Sequence, residues 1–421
     1  MQKRFVAEEL LESLRKNNAY RQKEKIRREC VFSLFLVTIN KKGFFIMLRV
    51  LEVISDMNIG GAGRLLINRI KNTDKEKVDI TVVIPKGSLL KSLLVSERVN
   101  FFEINGGKDS SFDIKGFFAV ASIIRKLKPD IVNAHGSLSA RIAAKICGVK
   151  VKIFTRHCDF PISKVFKIRI VKKCFSAIND FLSDGIIAVS DSAKVNLCDR
   201  GIKKEKIRVI INGVCPLETL TIDKKDRFKK SNGISSSAVV VSIFARLEPY
   251  KDHVTFLKAA ALLKDKNFVF AIVGTGSEEK KIKALAKELD LDKKVIFTGF
   301  VFDVTEWMNV TDINVNCSTG TETSSLALSE GMSLGVPAIA SDYSGNVYMV
   351  ENGVNGMIFP QRDSFSLAEK IEALSQNKEP YNSMKTASKE RFEKELNAVN
   401  MTRKTEEYYL ELYEMLTKKR K

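Results

Sequence analysis

Two glutamates, Glu322 and Glu330, with seven residues between them, lie in a stretch that follows an apolar run typical of a buried strand. Thr323 and Ser324 are good N-cap residues, and a Gly and a Pro a few residues further on are typical of the end of a helix. We therefore predict a helix of about three turns here. Glu322 would lie just before this helix, and Glu330 about two turns inside it.

This arrangement of charges is suited to a particular kind of ligand. The free backbone N–H groups of a first helical turn bind anions, and carboxylates accept hydrogen bonds from hydroxyl groups. A nucleotide sugar carries both phosphates and hydroxyls, so Glu330 could bind ribose and Glu322 the sugar. The alternative is a capped surface helix with two solvated glutamates, and these residues alone do not exclude it.

Arg246 and Lys251 lie in the segment A-R-L-E-P-Y-K-D-H, where Arg246 ends a predicted buried strand and Lys251 begins the next helix. Both side chains would then lie at the carboxyl-end rim of a sheet. A guanidinium and an ammonium held there can neutralise a diphosphate leaving group. In so basic a chain two exposed cations mean little, and it is their position at a strand end that indicates a function.

Two of the three histidines also follow predicted strands. His135 closes the strand D-I-V-N-A-H, and His157 follows the strand that ends in T-R. A single histidine is more often a satisfied hydrogen-bonding residue than a catalytic one, but two at the ends of two strands favour a function. His253 lies early in a predicted helix, and we interpret it as structural.

Glycines follow two of the strands. Gly60 and Gly61 come after the first strand, without the G-x-G-x-x-G fingerprint, and allow either close approach to a phosphate or acceptor or a tight turn. Gly274 follows a later strand, and there the structural interpretation is favoured.

The composition describes an ordinary globular protein with an unusual charge. The chain has 421 residues, a mass of 47.3 kDa and a formal net charge of +20. This excess of positive charge suggests an acidic partner: a membrane surface, a nucleic acid or an anionic substrate. The lysines are scattered and not interleaved with aromatic residues, which weakens the nucleic-acid interpretation. Seven cysteines without paired spacing indicate a reducing compartment, and no zinc site is expected.

Strands and helices alternate from residue 48 onward, which predicts an α/β fold with doubly wound, mainly parallel sheets. We predict one domain at 47–216, a polar linker at 217–237, a second domain at 238–399 and a final helix at 400–421. Residues 1–46 differ in composition, because a charged run there precedes an apolar patch at 30–39 that is too short to cross a bilayer. We expect 1–46 to be a poorly ordered extension and Met47 to be the true start.

The motifs, in their order along the chain, resemble those of the family 4 retaining glycosyltransferases, which have the GT-B fold. These motifs are G-G-A-G-R, T-R-H, I-N-G-V, A-R-L-x-x-x-K, V-G-T-G, T-G-F-V and E-x7-E followed by G-V-P. The resemblance covers nearly everything from residue 47 to the C-terminus. It implies two Rossmann-like domains facing across a cleft, a nucleotide sugar bound to the second domain and a last helix that returns to the first.

The resemblance also implies a role for each matching residue. Arg246 and Lys251 would hold the donor diphosphate, Glu330 the ribose and Glu322 the transferred sugar, while His157 would approach from the other domain. The wider donor site would include Gly60, Gly61, Gly274, Val301, Thr323, Ser324 and Ser325, with His135 and Arg64 on the acceptor side. The chain departs from the family pattern at 323–325, where Thr-Ser-Ser replaces Gly-Phe-Gly, and at 344–348, where Ser-Gly-Asn-Val-Tyr replaces Gly-Gly-x-x-Glu. These departures concern the sugar pocket.

The expected activity is retaining, metal-independent hexosyl transfer from an NDP-sugar, with a UDP-sugar as the expected donor and no cofactor. The acceptor would be a glycan or lipid-linked molecule of cell-envelope polysaccharide or glycolipid synthesis. We expect a cytoplasmic protein, peripheral at the inner, anionic face of the plasma membrane, with no specific nucleic acid. The alternatives are a GT-B epimerase of the UDP-GlcNAc 2-epimerase type and a basic nucleic-acid-binding protein.

Overall fold

The structure, a computed structural model, describes residues 39–40, 43–44, 47–159 and 162–418. The predictions for the extension at 1–46 therefore lie almost wholly outside the described residues. Residues 39–40 and 43–44 form a two-stranded antiparallel ladder. By their contacts, the described residues up to Arg49, together with Asp74–Asp79, form a small unit of their own. Val50–Thr73 and Ile80–Lys421 form the second unit, which contains the site discussed below.

The first half of the chain builds a seven-stranded sheet. Its strands are β1 (Leu48–Ile54), β2 (Val78–Pro85), β3 (Asn100–Ile104), β4 (Ile131–His135), β5 (Val151–Arg156), β6 (Gly185–Ala188) and β7 (Ile207–Val209). Their order in the sheet is β3-β2-β1-β4-β5-β6-β7. Each neighbouring pair from β1-β4 to β6-β7 is parallel, and so is the pair β2-β3. The order reverses direction between β1 and β4, so the carboxyl ends of these two strands flank a crevice where ligands bind in this fold class.

The second half builds a six-stranded sheet with parallel pairing throughout. Its strands are β8 (Val239–Phe244), β9 (Phe268–Val273), β10 (Val295–Gly299), β11 (Ile313–Asn316), β12 (Ala338–Ser341) and β13 (Gly356–Phe359). Their order is β10-β9-β8-β11-β12-β13, which places the corresponding crevice between β8 and β11. Arg246 follows β8, and Glu322 follows β11, so both predicted donor residues lie at this crevice.

Helices connect the strands of both sheets. In the first half they are α1 (Gly61–Asn72), α2 (Leu90–Ser96), α3 (Ile114–Leu127), α4 (Leu138–Ile146), α5 (Arg169–Leu182) and α6 (Asp191–Asp199). The later helices are α7 (Ile222–Ser231), α8 (His253–Leu262), α9 (Glu279–Glu288), α10 (Thr305–Val310), α11 (Leu326–Ser333), α12 (Ser344–Met349), α13 (Ser364–Gln376), α14 (Lys378–Arg391) and α15 (Ala398–Lys418). No described helix combines the length and hydropathy that crossing a bilayer requires.

Alternate residues of a strand face opposite sides of the first sheet, as the pleat requires. Leu51 and Val53 pack against α3 and α4, whereas Ile54, Val82 and Ile84 pack against α1 and α2. Helices therefore cover both faces of the sheet, and the prediction of two doubly wound, Rossmann-like domains is confirmed.

Two boundaries differ from the sequence predictions. The linker predicted at 217–237 contains a helix, α7, capped by the Thr221 hydroxyl, which accepts from the N–H of Lys224. The helix predicted to span about three turns after Glu322 is α11, which has eight residues and begins at Leu326. Glu330 is consequently about one turn inside α11 rather than two.

The last helix, α15, lies against elements of the first sheet. Gly213, from the I-N-G-V motif, passes so close to Asn397 that a Cβ at this position would lie 2.3 Å from the Asn397 carbonyl oxygen. From there α15 runs to Tyr409, whose hydroxyl donates to Glu52 at 3.0 Å and accepts from Arg69 at 2.8 Å. The Asn133 amide also donates to this hydroxyl, at 2.9 Å.

We expect Tyr409→Phe to lower the free energy of unfolding by about 1–3 kcal/mol, because it removes the shared partner of buried polar groups. Urea denaturation followed by circular dichroism would measure the change. Tyr413→Phe, one turn further along α15 at a less buried position, is the control and should cost less. Equal costs for the two variants would contradict a special role for the Tyr409 hydroxyl.

Candidate active site

Lys251 and Glu322 form an ion pair at the carboxyl end of the second sheet. Lys251 lies in the 3-10 turn Pro249–Lys251 rather than at the start of the helix itself. The next residue, Asp252, has a left-handed backbone (φ 49°) and caps α8 through the N–H and hydroxyl of Thr255. This cap fixes the point at which the lysine leaves the backbone, so the ammonium is directed at the carboxylate.

The Glu322 carboxylate is buried and surrounded by donors. Its Oε2 atom accepts from the Ser318 hydroxyl at 3.2 Å and from the Asn316 amide at 3.4 Å, besides the lysine. Burial alone would raise the pKa of Glu322, but Lys251 and these hydrogen bonds lower it below its ordinary value. Glu322 is therefore held as a carboxylate that can accept hydrogen bonds from hydroxyl groups.

The loop that carries Glu322 is constrained on both sides. Thr321 has a φ of 52°, which is unusual for a residue with a branched side chain, and its N–H donates to the Tyr343 hydroxyl at 3.1 Å. The N–H of Gly345 donates to the Glu322 carbonyl at 3.2 Å, and a Cβ at Gly345 would lie 2.5 Å from the Thr323 carbonyl group. The position of the carboxylate thus depends on a glycine at 345.

Arg246 is exposed at the same rim. Its guanidinium donates to the Tyr250 hydroxyl at 2.6 Å, and the Lys251 ammonium lies 5.7 Å from the centre of the Tyr250 ring. The two cations predicted to hold a diphosphate therefore both lie close to one tyrosine. Arg246 forms no ion pair with a described residue, so its charge is available to an anion.

Arg64 of α1 contacts Glu330 of α11, which joins the two domains across the cleft. The guanidinium lies 3.3 Å from Glu330 Oε1 and donates to the Phe302 carbonyl at 3.1 Å. Burial raises the pKa of Glu330 to about 7, although Arg64 opposes the shift. The residue predicted on the acceptor side is thus paired with the residue predicted to bind ribose.

His157 ends a chain of three polar side chains that begins inside the first domain. Its Nε2 atom lies 2.7 Å from Nδ1 of His135, whose Nε2 lies 2.7 Å from Glu52. Glu52 is fully buried and also pairs with Arg69. Burial alone would raise the pKa of Glu52, but Arg69 and His135 lower it to about 2. Glu52 therefore acts only as an acceptor.

This chain determines which nitrogen of His157 carries hydrogen. Arg69 balances the charge of Glu52, so neutral imidazoles leave the buried cluster uncharged, and burial lowers the pKa of His157 well below its ordinary value. His135 then donates from Nε2 to Glu52 and accepts at Nδ1 from His157 Nε2–H. Nδ1 of His157, which is buried and has no hydrogen-bond partner in the described structure, is left as an acceptor.

The residues at the start of α11 connect His157 to the second domain. The Thr323 hydroxyl donates to the His157 carbonyl at 2.9 Å, so it does not cap the helix. Ser325 is the N-cap instead, and its hydroxyl accepts from Leu328 N–H at 3.3 Å and from Asn316 at 3.1 Å. The prediction of Thr323 and Ser324 as caps is therefore wrong, because Thr323 is bound to the other domain and Ser324 lies against Met349.

The remaining predicted positions are mostly parts of the backbone framework. Gly60 is the residue before α1, and a Cβ at Gly61 would lie 3.9 Å from Leu326, which places this turn beside α11. Gly274 has a φ of 146°, and a Cβ there would lie 2.1 Å from the Ala245 carbonyl oxygen. Val301 packs against the core cluster around Trp307.

Several residues of this site were not found from the sequence. They are Glu52, Arg69, Tyr409, Asn316, Ser318 and Gly345. Glu52 carried a usable signal, since a glutamate in the middle of the apolar strand L-R-V-L-E-V-I must be buried and therefore paired. The partners come from distant segments, and nothing in the local sequence indicates them.

A concavity of about 780 Å³ lies elsewhere, lined by α14, Asp312 and the segment around Thr219. It lies at the start of β11, whereas Glu322 follows the end of that strand. Because ligands of doubly wound sheets bind at the carboxyl ends of strands, we assign the functional site to the cleft.

Comparison with known proteins identifies the family. The model for "Glycosyltransferase Family 4" matches residues 59–216, and the model for "Glycosyl transferases group 1" matches residues 224–391. The chain belongs to glycosyltransferase family 4. The enzyme has the GT-B fold, and neither matched model describes an epimerase or a nucleic-acid-binding protein.

Relatives and solved structures agree with this assignment. The glycosyltransferase is 26% identical to a UDP-Gal:alpha-D-GlcNAc-diphosphoundecaprenol alpha-1,3-galactosyltransferase of Escherichia coli over 84% of this chain and 94% of that protein. It is 30% identical to the putative glycosyltransferase EpsD of Bacillus subtilis over 60% of this chain and 69% of that protein. A Rickettsia africae glycosyltransferase has the same fold, with a TM-score of 0.77 and 22% identity over 87% of this chain and 98% of that one. Anabaena Alr3699/HepE, solved with UDP and glucose, also has this fold, with a TM-score of 0.74 and 20% identity over 86% of this chain and 99% of that one.

The raised pKa of Glu330 predicts a pH-dependent stability. The folded protein binds this proton more tightly than the unfolded chain between pH 4.5 and about 7. Relative to Glu330→Gln, wild type should therefore lose about 2–3 kcal/mol of unfolding free energy as the pH rises through that window. Urea denaturation at several pH values would measure this, with the exposed Glu288→Gln as the control. If the unfolding free energies of wild type and Glu330→Gln changed with pH in parallel, Glu330 would not have the raised pKa that its burial predicts.

Proposed function

We propose that this glycosyltransferase moves a hexosyl group from an NDP-sugar, with UDP as the expected nucleotide, to a lipid-linked or glycan acceptor of cell-envelope polysaccharide or glycolipid assembly. Transfer would retain the anomeric configuration and need no divalent metal. The E. coli relative acts, by its name, on a diphosphoundecaprenol-linked sugar, which supports this acceptor class. The Anabaena structure contains UDP, which supports the choice of nucleotide.

The observation that carries the proposal is the buried pair of Lys251 and Glu322. Asn316 and Ser318 hold the carboxylate ready for sugar hydroxyls, and the lysine lies at the rim beside Arg246. An ammonium and a guanidinium at this rim can stabilise the charge that develops on a departing diphosphate, which is a role that a metal ion has in other enzymes. Glu330 would accept hydrogen bonds from the ribose once the nucleotide displaces Arg64.

The proposed reaction takes place on one face of the sugar. The bond between the anomeric carbon and the phosphate oxygen breaks, and the bond from the anomeric carbon to the acceptor oxygen forms. The acceptor proton passes to the departing phosphate oxygen, so the protein supplies no nucleophile. Nδ1 of His157 would accept a hydrogen bond from a substrate hydroxyl and so orient it, while Glu52 and His135 act as positioning residues that hold His157 in the required tautomer.

Incubation with a set of NDP-sugars tests the overall proposal. A sugar nucleotide that stabilises the protein thermally should transfer its sugar to a polyprenyl-diphosphate-linked acceptor with the same anomeric configuration, read from the anomeric coupling constant by NMR. Conversion of the free sugar nucleotide to an epimer without acceptor would favour the alternative activity instead.

We expect Arg246→Ala or Lys251→Ala to lower kcat by about 10²–10³, the effect of removing one preorganised charge-stabilising group. The Arg246 variant is the cleaner test because its side chain is exposed, whereas Lys251→Ala leaves Glu322 buried without its cation. Lys258→Ala, on the exposed face of α8, is the control and should keep normal turnover. Normal turnover in both cleft variants would contradict the assigned roles.

The histidine chain predicts an observable tautomer. The protein has three histidines, so ¹⁵N-histidine labelling and long-range ¹H–¹⁵N NMR can assign each ring. His157 should carry its hydrogen on Nε2 in wild type. Glu52→Gln makes residue 52 a donor toward His135, which should reverse the chain, place the hydrogen of His157 on Nδ1 and lower kcat by about tenfold or more.

His135→Gln is the matched variant, because its amide can still donate to Glu52 and accept from His157. It should preserve the tautomer of His157 and most of the activity. An unchanged His157 spectrum in Glu52→Gln would disprove the relay even if the activity fell.

A further inference from the structure

Large apolar side chains are exposed in one segment of the first domain, between β5 and the end of α5. They are Ile162, Val165, Ile168, Ile170, Ile178 and Phe181, each at least 40% exposed. A folded protein usually exposes such residues singly, so a group of six within 20 residues of chain indicates an interaction surface.

The exposed residues of α5 share one face of the helix. Ile170, Cys174 and Ile178 are four residues apart, and Phe181 follows three residues later, so they lie on successive turns of the same side. The opposite side anchors the helix, where the buried Asn179 accepts from Arg141 at 2.7 Å, and Leu182 is buried at the end of the helix. The exposed face is therefore not needed to hold α5 on the domain.

This segment is rich in cations. Lys164 and Lys167 precede α5, and Lys173 lies beside its apolar side, whereas Arg169 and Lys172 lie on other sides of the helix. Asp180 is the one acid between residues 162 and 182. Asp180 is already paired with Lys203 and Lys206. None of the five cations forms an ion pair with another described residue. A helix with an apolar stripe and unpaired cations beside it has the composition of a segment that lies in a membrane interface.

We propose that the face formed by residues 162–181 binds the surface of an anionic lipid bilayer, with its isoleucines and Phe181 among the lipid headgroups and its cations on the phosphates. The inference rests on the proposed function in one respect, since a lipid-linked acceptor would be presented at such a surface. The face begins a few residues after His157 in the chain and includes most of α5, so it belongs to the domain on which the acceptor is expected to bind.

The chemistry of the face favours a bilayer over other partners. A second copy of the chain, packed symmetrically, would place the cations of this face opposite one another. A nucleic acid would satisfy the cations but leave the isoleucines without apolar partners. An anionic bilayer satisfies both sets of side chains at once, because phosphates and acyl chains meet at its interface.

Vesicle co-sedimentation of the full-length protein tests the proposal. Wild type should bind vesicles of phosphatidylglycerol mixed with phosphatidylcholine, and bind phosphatidylcholine alone much more weakly. Ile170→Ser with Ile178→Ser should weaken binding by at least about tenfold. Ile222→Ser with Phe365→Ser, which are even more exposed but lie outside this face, should leave binding unchanged.

Charge reversal separates this face from the general positive charge of the protein. Lys164→Glu with Lys173→Glu should weaken vesicle binding by about tenfold or more. Lys280→Glu with Lys287→Glu, on the exposed side of α9, changes the net charge equally and should have a much smaller effect. Equal loss in the two charge variants would overturn the proposal, because binding would then follow net charge alone.

Two further outcomes would overturn it. Wild type could fail to bind anionic vesicles, or light scattering could show a dimer that Ile170→Ser with Ile178→Ser converts to a monomer, which would identify a second copy as the partner. UDP affinity should be the same in all these variants, since none alters the cleft. A protein that binds vesicles but no sugar nucleotide would leave the membrane surface intact and contradict the proposed function instead.

Discussion

The burial of Glu52 is the constraint on which the arrangement of the first domain depends. A carboxylate with no exposure to solvent must be compensated, and its partners come from α1, β4 and α15, which are far apart in the chain. Arg69 supplies the compensating charge, and Tyr409 links the last helix to the sheet. His135 donates to Glu52 from one ring nitrogen, which leaves its other nitrogen to accept from His157. One buried charge thus determines both where the last helix lies and how a cleft histidine is oriented.

The second domain likewise has carboxylates that are paired with cations, at the carboxyl ends of its strands. Lys251 holds the buried Glu322 ionised, whereas burial raises the pKa of Glu330, which therefore keeps its proton to higher pH. Both carboxylates are paired with cations that a nucleotide sugar could replace or share. The Arg64 contact with Glu330 and the Thr323 contact with His157 join the two domains at positions that a ligand would also touch. The contacts between the domains and the proposed ligand contacts therefore involve the same few side chains.

Much of the fold followed from local patterns. The alternation of apolar strands with helices, and the order of motifs along the chain, were sufficient for two doubly wound domains and for placing Arg246, Lys251, His135 and His157 at strand ends. The start of α11 was not predictable, because Thr323 and Ser324 have the side chains of good caps. Their actual partners are the carbonyl of His157 and the sulfur of Met349, which the local sequence does not indicate.

The sequence by itself determined the fold class, the family resemblance and the ends of strands at which the charged residues lie, because these depend on periodicity and on short motifs. Only the tertiary structure decided which polar side chains are paired: Glu52 with Arg69, Glu330 with Arg64 and His157 with His135. It also decided that the apolar face of α5 points to solvent. Pairing and exposure depend on which distant segments meet, and a hydrogen bond acts over about 3 Å regardless of separation along the chain.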